Sequence, residues 1–189
     1  MKERLWYAET IELKRSKKER VPLRWTDFRI GPMTEADAEE ICSWRYPAPY
    51  DRYRWPAWEE MRSQGKEFGD PDIRQSQYAS VRDKEQALVG YAQFFPMTGV
   101  VRLGLGLRPD CCGIGWGAEL MRALVAEASA RYPGAEIDLE VESWNKRAIR
   151  AYEKAGFVIT DSYTRRATHG CVHICCMVYQ QKDRPDGRS

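Results

Sequence analysis

No stretch of this 189-residue chain is apolar over the ~18 residues that a membrane-spanning helix needs, and mean hydropathy is −0.64, so no membrane partner is expected. The opening Met1-Lys2-Glu3-Arg4-Leu5-Trp6 lacks the apolar centre of a secretory signal, and a cytoplasmic location is expected. Excess charge of one sign is also missing. Lys and Arg number 30 against 28 Asp and Glu, a net +2, which is too even to make nucleic acid the default partner. Histidine is nearly absent, with His169 and His173 alone. The six cysteines (Cys42, Cys111, Cys112, Cys171, Cys175 and Cys176) contain no Cys-x-x-Cys pair. On an extended segment Cys171, His173 and Cys175 share one face, whereas tetrahedral sites draw ligands from tight turns or separate elements, so no metal is expected. Adjacent thiols such as Cys111 and Cys112 do not readily bridge each other, and without a secretory signal all six are expected reduced.

What the chain does have suits one globular α/β domain: 43% hydrophobic and 31% charged residues. Residues 1–25 form a basic extension, densest in Lys14-Arg15-Ser16-Lys17-Lys18-Glu19-Arg20, and read either as a solvated arm or as a nucleic-acid contact. Residues 26–181 form the domain, and 182–189, with no apolar anchor, form a flexible tail. Within the domain, Phe28–Ile30 alternates as a strand, and Thr34 is placed to cap a helix through Ile41. Residues 44–58 gather Trp44, Tyr46, Tyr50, Tyr53, Trp55 and Trp58 among three prolines, which forbid a long helix. This segment is either a small separate core or a pocket wall. Gln77–Arg82, Leu88–Pro96 and Val100–Leu107 read as strands whose short links make them antiparallel neighbours. A helix over 115–130, a strand over 137–141, a helix from Asn145 to Ala155 and closing strands Phe157–Thr160 and Cys171–Tyr179 complete a mixed sheet with a strand-helix-strand crossover.

The chemistry concentrates where the strand ending Leu105-Gly106-Leu107 turns through Arg108-Pro109-Asp110-Cys111-Cys112-Gly113-Ile114-Gly115-Trp116-Gly117 into a helix. Glycines at a helix N-terminus let backbone N–H groups converge on an anion, which points to a phosphate or pyrophosphate. The nucleotide P-loop is excluded, because Gly117 is followed by Ala118-Glu119 and not by Lys-Ser/Thr. The dinucleotide fingerprint is excluded because the spacing is Gly-x-Gly-x-Gly. Downstream comes Asn145-Lys-Arg-Ala148-Ile-Arg-Ala-Tyr152-Glu153-Lys154-Ala-Gly156-Phe157.

These two segments together resemble the GNAT superfamily of acetyl-CoA-dependent N-acyltransferases. The family's Arg/Gln-x-x-Gly-x-Gly/Ala loop matches Cys112–Gly117, with Cys112 in place of the usual Arg or Gln. Its Asn-x-x-Ala-x-x-x-Tyr-Glu-Lys-x-Gly-Phe motif matches Asn145–Phe157, and the likeness spans about residues 76–163. The resemblance implies a central, mostly antiparallel sheet with one splayed parallel strand pair and flanking helices. It implies acetyl-CoA held by Leu105, Gly106, Leu107, Cys112, Gly113, Ile114, Gly115, Trp116, Gly117 and Asn145. It assigns Tyr152 as the acid that protonates the departing thiolate and Glu140 as the base that takes the acceptor amine's proton. Tyr46, Tyr50 and Tyr53 would face the acceptor, an aromatic surface suited to a cationic amine or a peptide backbone. A homodimer is compatible with this reading. A module of the same fold that binds acyl-CoA without turnover would keep the Gly-rich loop and Asn145 but need neither Glu140 nor Tyr152. Cys111 and Cys112 are either inert loop residues or thiols activated by the helix N-terminus.

The cysteine arithmetic makes one prediction. Neither a chelator nor a reductant should lower the melting temperature of the purified protein, whereas a structural zinc or disulfide would produce a clear drop with one of them.

Overall fold

The computed structural model describes residues 23–167 and 170–181. The basic run 14–20 and the tail 182–189 therefore lie outside the described residues. Helix α1 (Glu35–Ser43) starts where the sequence places it. The Thr34 hydroxyl accepts the Asp37 N–H at 3.1 Å, and the Asp37 carboxylate accepts the Thr34 N–H at 3.2 Å. This reciprocal cap satisfies two donors that a helix start leaves without partners. Two short helices follow, α2 (Trp58–Ser63) and α3 (Pro71–Gln77). The Asp70 carboxylate accepts the Asp72 and Ile73 N–H groups at the start of α3, and Pro71, with no N–H to satisfy, fills its first position.

Seven strands form one sheet: β1 (Arg29–Pro32), β2 (Tyr78–Arg82), β3 (Leu88–Met97), β4 (Val100–Leu107), β5 (Glu136–Glu142), β6 (Phe157–Ala167) and β7 (Gly170–Tyr179). Their spatial order is β1-β2-β3-β4-β5-β7-β6. Every neighbouring pair is antiparallel except β4 and β5, which helix α4 (Trp116–Arg131) connects in parallel. Helix α5 (Lys146–Ala155) then leads to β6.

The two faces carry separate cores. Leu120, Met121 and Leu124 of α4 bury against Val101, Leu103, Ile137, Leu139 and Met177. On the other face, Ile41 of α1, Met61 of α2 and Phe68 pack with Tyr78 and Leu88. Alternation along β5 turns Ile137, Leu139 and Val141 toward α4, so Asp138, Glu140 and Glu142 face the opposite side.

Three differences from the sequence reading have physical causes. The aromatic segment serves as core and as wall at once: Trp44 and Trp58 are buried in the second core, while Tyr46 and Trp55 are half-buried at its edge. Strand β6 continues past Thr160 to Ala167, because its polar outer half is held by a long ladder with β7 and carries no apolar alternation to betray it. Leu23, placed by sequence in the extension, is buried with Phe28 in the main core. Among the described residues none of the six cysteines forms a disulfide, and no cluster of His, Cys, Asp and Glu has metal-binding geometry. No helix is long and apolar enough to cross a membrane.

Asp37 ties α1 to the sheet. It is 4% exposed, accepts the Ser80 hydroxyl at 2.8 Å and pairs with Arg82 at 2.5 Å. Burial pushes its pKa up, but hydrogen bonds from Ser80 and Thr34 and the Arg82 charge outweigh that and hold the carboxyl below its usual value. A lowered folded-state pKa contributes stability that is complete above the unfolded value and lost as pH falls through the folded one. Asp37→Ala should therefore cost about 2 kcal/mol at pH 7 in urea unfolding, and the difference from wild type should shrink toward pH 3.

Candidate active site

Strands β4 and β5 pair only at their beginnings. Val100, Val101 and Arg102 lie opposite Glu136, Ile137 and Asp138, and beyond that the two strands part. The ladder between β3 and β4 shows which backbone groups the parting exposes. Arg108 N–H donates to Val89 O at 2.8 Å, so Gly106 and Gly104 face β3 as well, and Leu105 and Leu107 face the opening. The Tyr46 hydroxyl reaches across to donate to Leu107 O at 2.8 Å, on that same side.

The opening widens into a cleft of about 720 Å³. Its floor is β4 from Leu103 to Leu107, and its walls are Tyr46, Tyr50 and Tyr53 on one side and α5 on the other. At its end lies the Gly-rich turn. Gly113 has φ +79° and Gly115 φ +93°, a left-handed backbone that favours glycine, and nothing lies within 4 Å of where a Cβ would stand on either. The turn therefore opens onto free space at the N-terminus of the 16-residue helix α4, the geometry that accepts an anion. Two other glycines have a different use. A Cβ on Gly117 would stand 3.3 Å from Ala151 Cβ, so this position lets α4 and α5 approach. A Cβ on Gly106 would stand 2.3 Å from the Tyr91 ring, which lies over that strand.

Cys112, Gly113, Gly115 and Gly117 line the cleft. Ile114 packs against the core, and Trp116 is buried edge-on to Phe28, so these two offer the cleft backbone alone. Cys112 Sγ approaches Leu107 O and Arg108 O at 3.7 and 3.6 Å.

Helix α5 starts at Asn145, whose Oδ1 accepts the Ala148 N–H at 3.1 Å and whose Nδ2 donates to the Tyr53 hydroxyl at 3.2 Å. Asn145 is itself buried and fixes the aromatic wall to the helix. Tyr53 stacks on Trp144 at 5.9 Å, and the Arg147 guanidinium lies 3.8 Å above the Tyr50 ring. Two turns along α5, the Tyr152 side chain lines the cleft and has no hydrogen-bond partner among the described residues. Burial, with Tyr53 and Tyr91 nearby, pushes its pKa well above that of a free phenol, so at neutral pH it carries its proton. Arg147, Arg150 and Lys154 follow one another at i, i+3 and i+7 on the same side of α5 and line the cleft. Sequence reasoning missed these three. Their signal was the helical spacing of basic residues within the downstream motif.

Glu140 also lines the cleft, on the face away from α4. Its Oε1 pairs with Arg102 Nη1 at 2.5 Å, and its Oε2 accepts the Tyr163 hydroxyl at 2.9 Å. Arg102 is shared, because its Nε and Nη2 engage Asp138 at 2.6 to 3.2 Å. The Asp138–Arg102–Glu140 trio thus keeps one uncompensated negative charge, and Glu140 is its member on the cleft. The arrangement provides backbone donors along a slot, an anion seat at one end, and a carboxylate and a protonated phenol facing the same space. That set suits acyl transfer.

Comparison with known proteins agrees with this geometry. The family model described as "Acetyltransferase (GNAT) family" matches residues 36–157. Among solved structures, a chimera built from the Vibrio cholerae spermidine N-acetyltransferase SpeG superposes with a TM-score of 0.66 at 15% identity, covering 81% of this chain and 95% of that one. AAC(6')-Ib in complex with an aminoglycoside and acetyl-CoA gives 0.65 at 23% identity, covering 86% and 98%. A GNAT-family acetyltransferase from Bacillus anthracis gives 0.66 at 15%, covering 80% and 93%. At these identities the structural likeness speaks for the fold.

The turn is tested by a matched pair of variants. Gly115→Ala and Gly115→Asp share the strain of a side chain at φ +93°, and only the aspartate brings charge to the anion seat. By calorimetry the aspartate variant should bind acetyl-CoA at least tenfold more weakly than the alanine variant, a difference of about 1.4 kcal/mol. Equal dissociation constants would remove the turn from the binding site.

Proposed function

The chain belongs to the GNAT acetyltransferase family, and from that premise we propose how its own residues carry out acetyl transfer to an amine. It is an acetyl-CoA-dependent N-acetyltransferase. The observation that carries the assignment of roles is the parting of β4 from β5 directly above an open Gly-rich turn.

Acetyl-CoA, when bound, supplies an acetyl group activated as a thioester. Gly113 and Gly115, with the positive end of α4, would hold its pyrophosphate, and Arg150 and Lys154 would add countercharge. Leu105 offers its strand-like N–H and C=O, and Leu107 its N–H, to the amides of the pantetheine arm. A backbone N–H at this end of β4 also stabilises the negative charge that develops on the acyl oxygen. Asn145 acts by fixing the first turn of α5 and the position of Tyr53.

The acceptor amine must lose a proton before it can attack, since an ammonium has no lone pair. Glu140 takes that proton, directly or through one water, and the uncompensated charge of the Asp138–Arg102–Glu140 trio supports that role. Attack leaves the nitrogen positively charged in the tetrahedral adduct; as the C–S bond breaks, Tyr152 gives its proton to the departing sulfur, and the second proton shed by the nitrogen, through water, restores Tyr152. Its hydroxyl has no hydrogen-bond partner among the described residues, and its raised pKa keeps it protonated until the thiolate forms. The amine-acetylating neighbours of the same fold support an amine as the acceptor.

Thiol release from acetyl-CoA in the presence of an amine panel tests the activity, and a protein that binds acetyl-CoA but acetylates nothing would be a binding module. Tyr152→Phe keeps the ring and its packing. Its single-turnover rate should fall ~10²-fold with acetyl-CoA affinity unchanged. Glu140→Gln should lower the rate by a similar ~10²-fold, and raising the pH should recover part of the loss as more acceptor arrives already neutral. Single-turnover rates equal to wild type would take either residue out of the mechanism.

A further inference from the structure

The acceptor side of the cleft carries more positive charge than its acids neutralise. Glu140, Glu142 and Tyr163 stand on the β5–β7–β6 face opposite α4, because Glu142, Ile174 and Tyr163 lie directly across from one another in the ladder. Arg165, two residues beyond Tyr163, points to the same side and lines the cleft. Arg54 enters from the aromatic wall, next to Tyr53. The two acids that line the cleft are already engaged: Glu140 by Arg102 at 2.5 Å, and Glu142 by Arg52 at 3.3 Å and by the Trp144 indole N–H, while Asp161, on the same face across Cys176 from Glu140, lies outside the cleft lining. Arg54 and Arg165 have no carboxylate partner among the described residues, and both are exposed to the cleft. Arg150 and Lys154 of α5 flank Ala151, which meets Gly117 of the turn, and are assigned to the cofactor phosphates, whereas Arg147 lies over the Tyr50 ring.

A polyamine brought to this surface would meet the Arg54 and Arg165 guanidiniums, which outnumber the one excess negative charge that the Asp138–Arg102–Glu140 trio places on the cleft. An acceptor with an anionic group beside its amine would find its match there, with the paired N–H donors of arginine suited to a carboxylate or phosphate. On the reading of this site as an acetyltransferase, we infer that its acceptor is an amine that also bears an anionic group, held by Arg54 and Arg165 while the amine faces Glu140.

Matched pairs of acceptors test this with the full chain and acetyl-CoA. Lysine against cadaverine and phenylalanine against phenethylamine vary a carboxylate. Glucosamine 6-phosphate against glucosamine varies a phosphate. In at least one pair the anionic member should show a kcat/KM at least tenfold above its partner, and the pair in which this occurs identifies the anion. Arg165→Glu, and separately Arg54→Glu, should abolish that preference while leaving acetyl-CoA affinity at the wild-type value. The same pairs are also titrated with CoA present by calorimetry, which reads binding without turnover. Selective binding of the anionic members without turnover would uphold the inference and overturn the catalytic reading. Turnover or binding that favours the cationic members, treats each pair alike, or survives both charge reversals would overturn the inference and leave the catalytic reading standing.

Discussion

Everything at this site depends on two parallel strands that stop pairing. Val100–Arg102 of β4 lie against Glu136–Asp138 of β5, and past Arg102 each strand continues without the other. A sheet interior normally satisfies every backbone donor and acceptor, so an interrupted ladder leaves a row of polar groups that only a ligand or water can complete. The surrounding side chains frame that row and take up one of its carbonyls. Tyr46 takes the Leu107 carbonyl from the side, the Tyr91 ring fills the space above Gly106, and Asn145 ties Tyr53 to the start of α5. The opening is held by named contacts on both walls.

The parting also separates the two halves of the chemistry by face. Helices α4 and α5 cover one side of the sheet and bring the anion seat and the basic stripe Arg147, Arg150 and Lys154. The other side carries Glu140, Glu142 and their arginine partners. Alternation along β5 enforces this division: Leu139 and Val141 face the core under α4, and the acids between them cannot. Tyr152 reaches the cleft from the helix side and Glu140 from the sheet side, so a phenol and a carboxylate face the slot from opposite walls, as the proposed acid and base require.

Much of this was legible in the sequence because it is local. The Thr34 cap, the strand meander through Leu107, the Gly-rich turn and the Asn145–Phe157 motif each declare themselves within a few residues, and their order identified the family. Less legible were features set by distant partners. Gly106 and Gly117 look like parts of one glycine-rich loop, yet Tyr91 and Ala151 determine why each must be small. The sharing of Arg102 between Asp138 and Glu140 depends on the parallel register, which no short-range pattern encodes. Helices α2 and α3 hide among prolines and aromatics, and the outer half of β6 lacks apolar alternation because its stability comes from pairing with β7.

The central claim is that the unpaired edge of β4 binds the pantetheine arm as a further strand would. Residue-resolved amide hydrogen exchange, measured with and without saturating acetyl-CoA, tests it most directly. The account predicts that the Leu105 or Leu107 amide, or both, will slow by at least tenfold on binding, while Gly104 and Gly106, already facing β3, will change little. Binding that leaves both Leu105 and Leu107 exchanging at their free rates would contradict it.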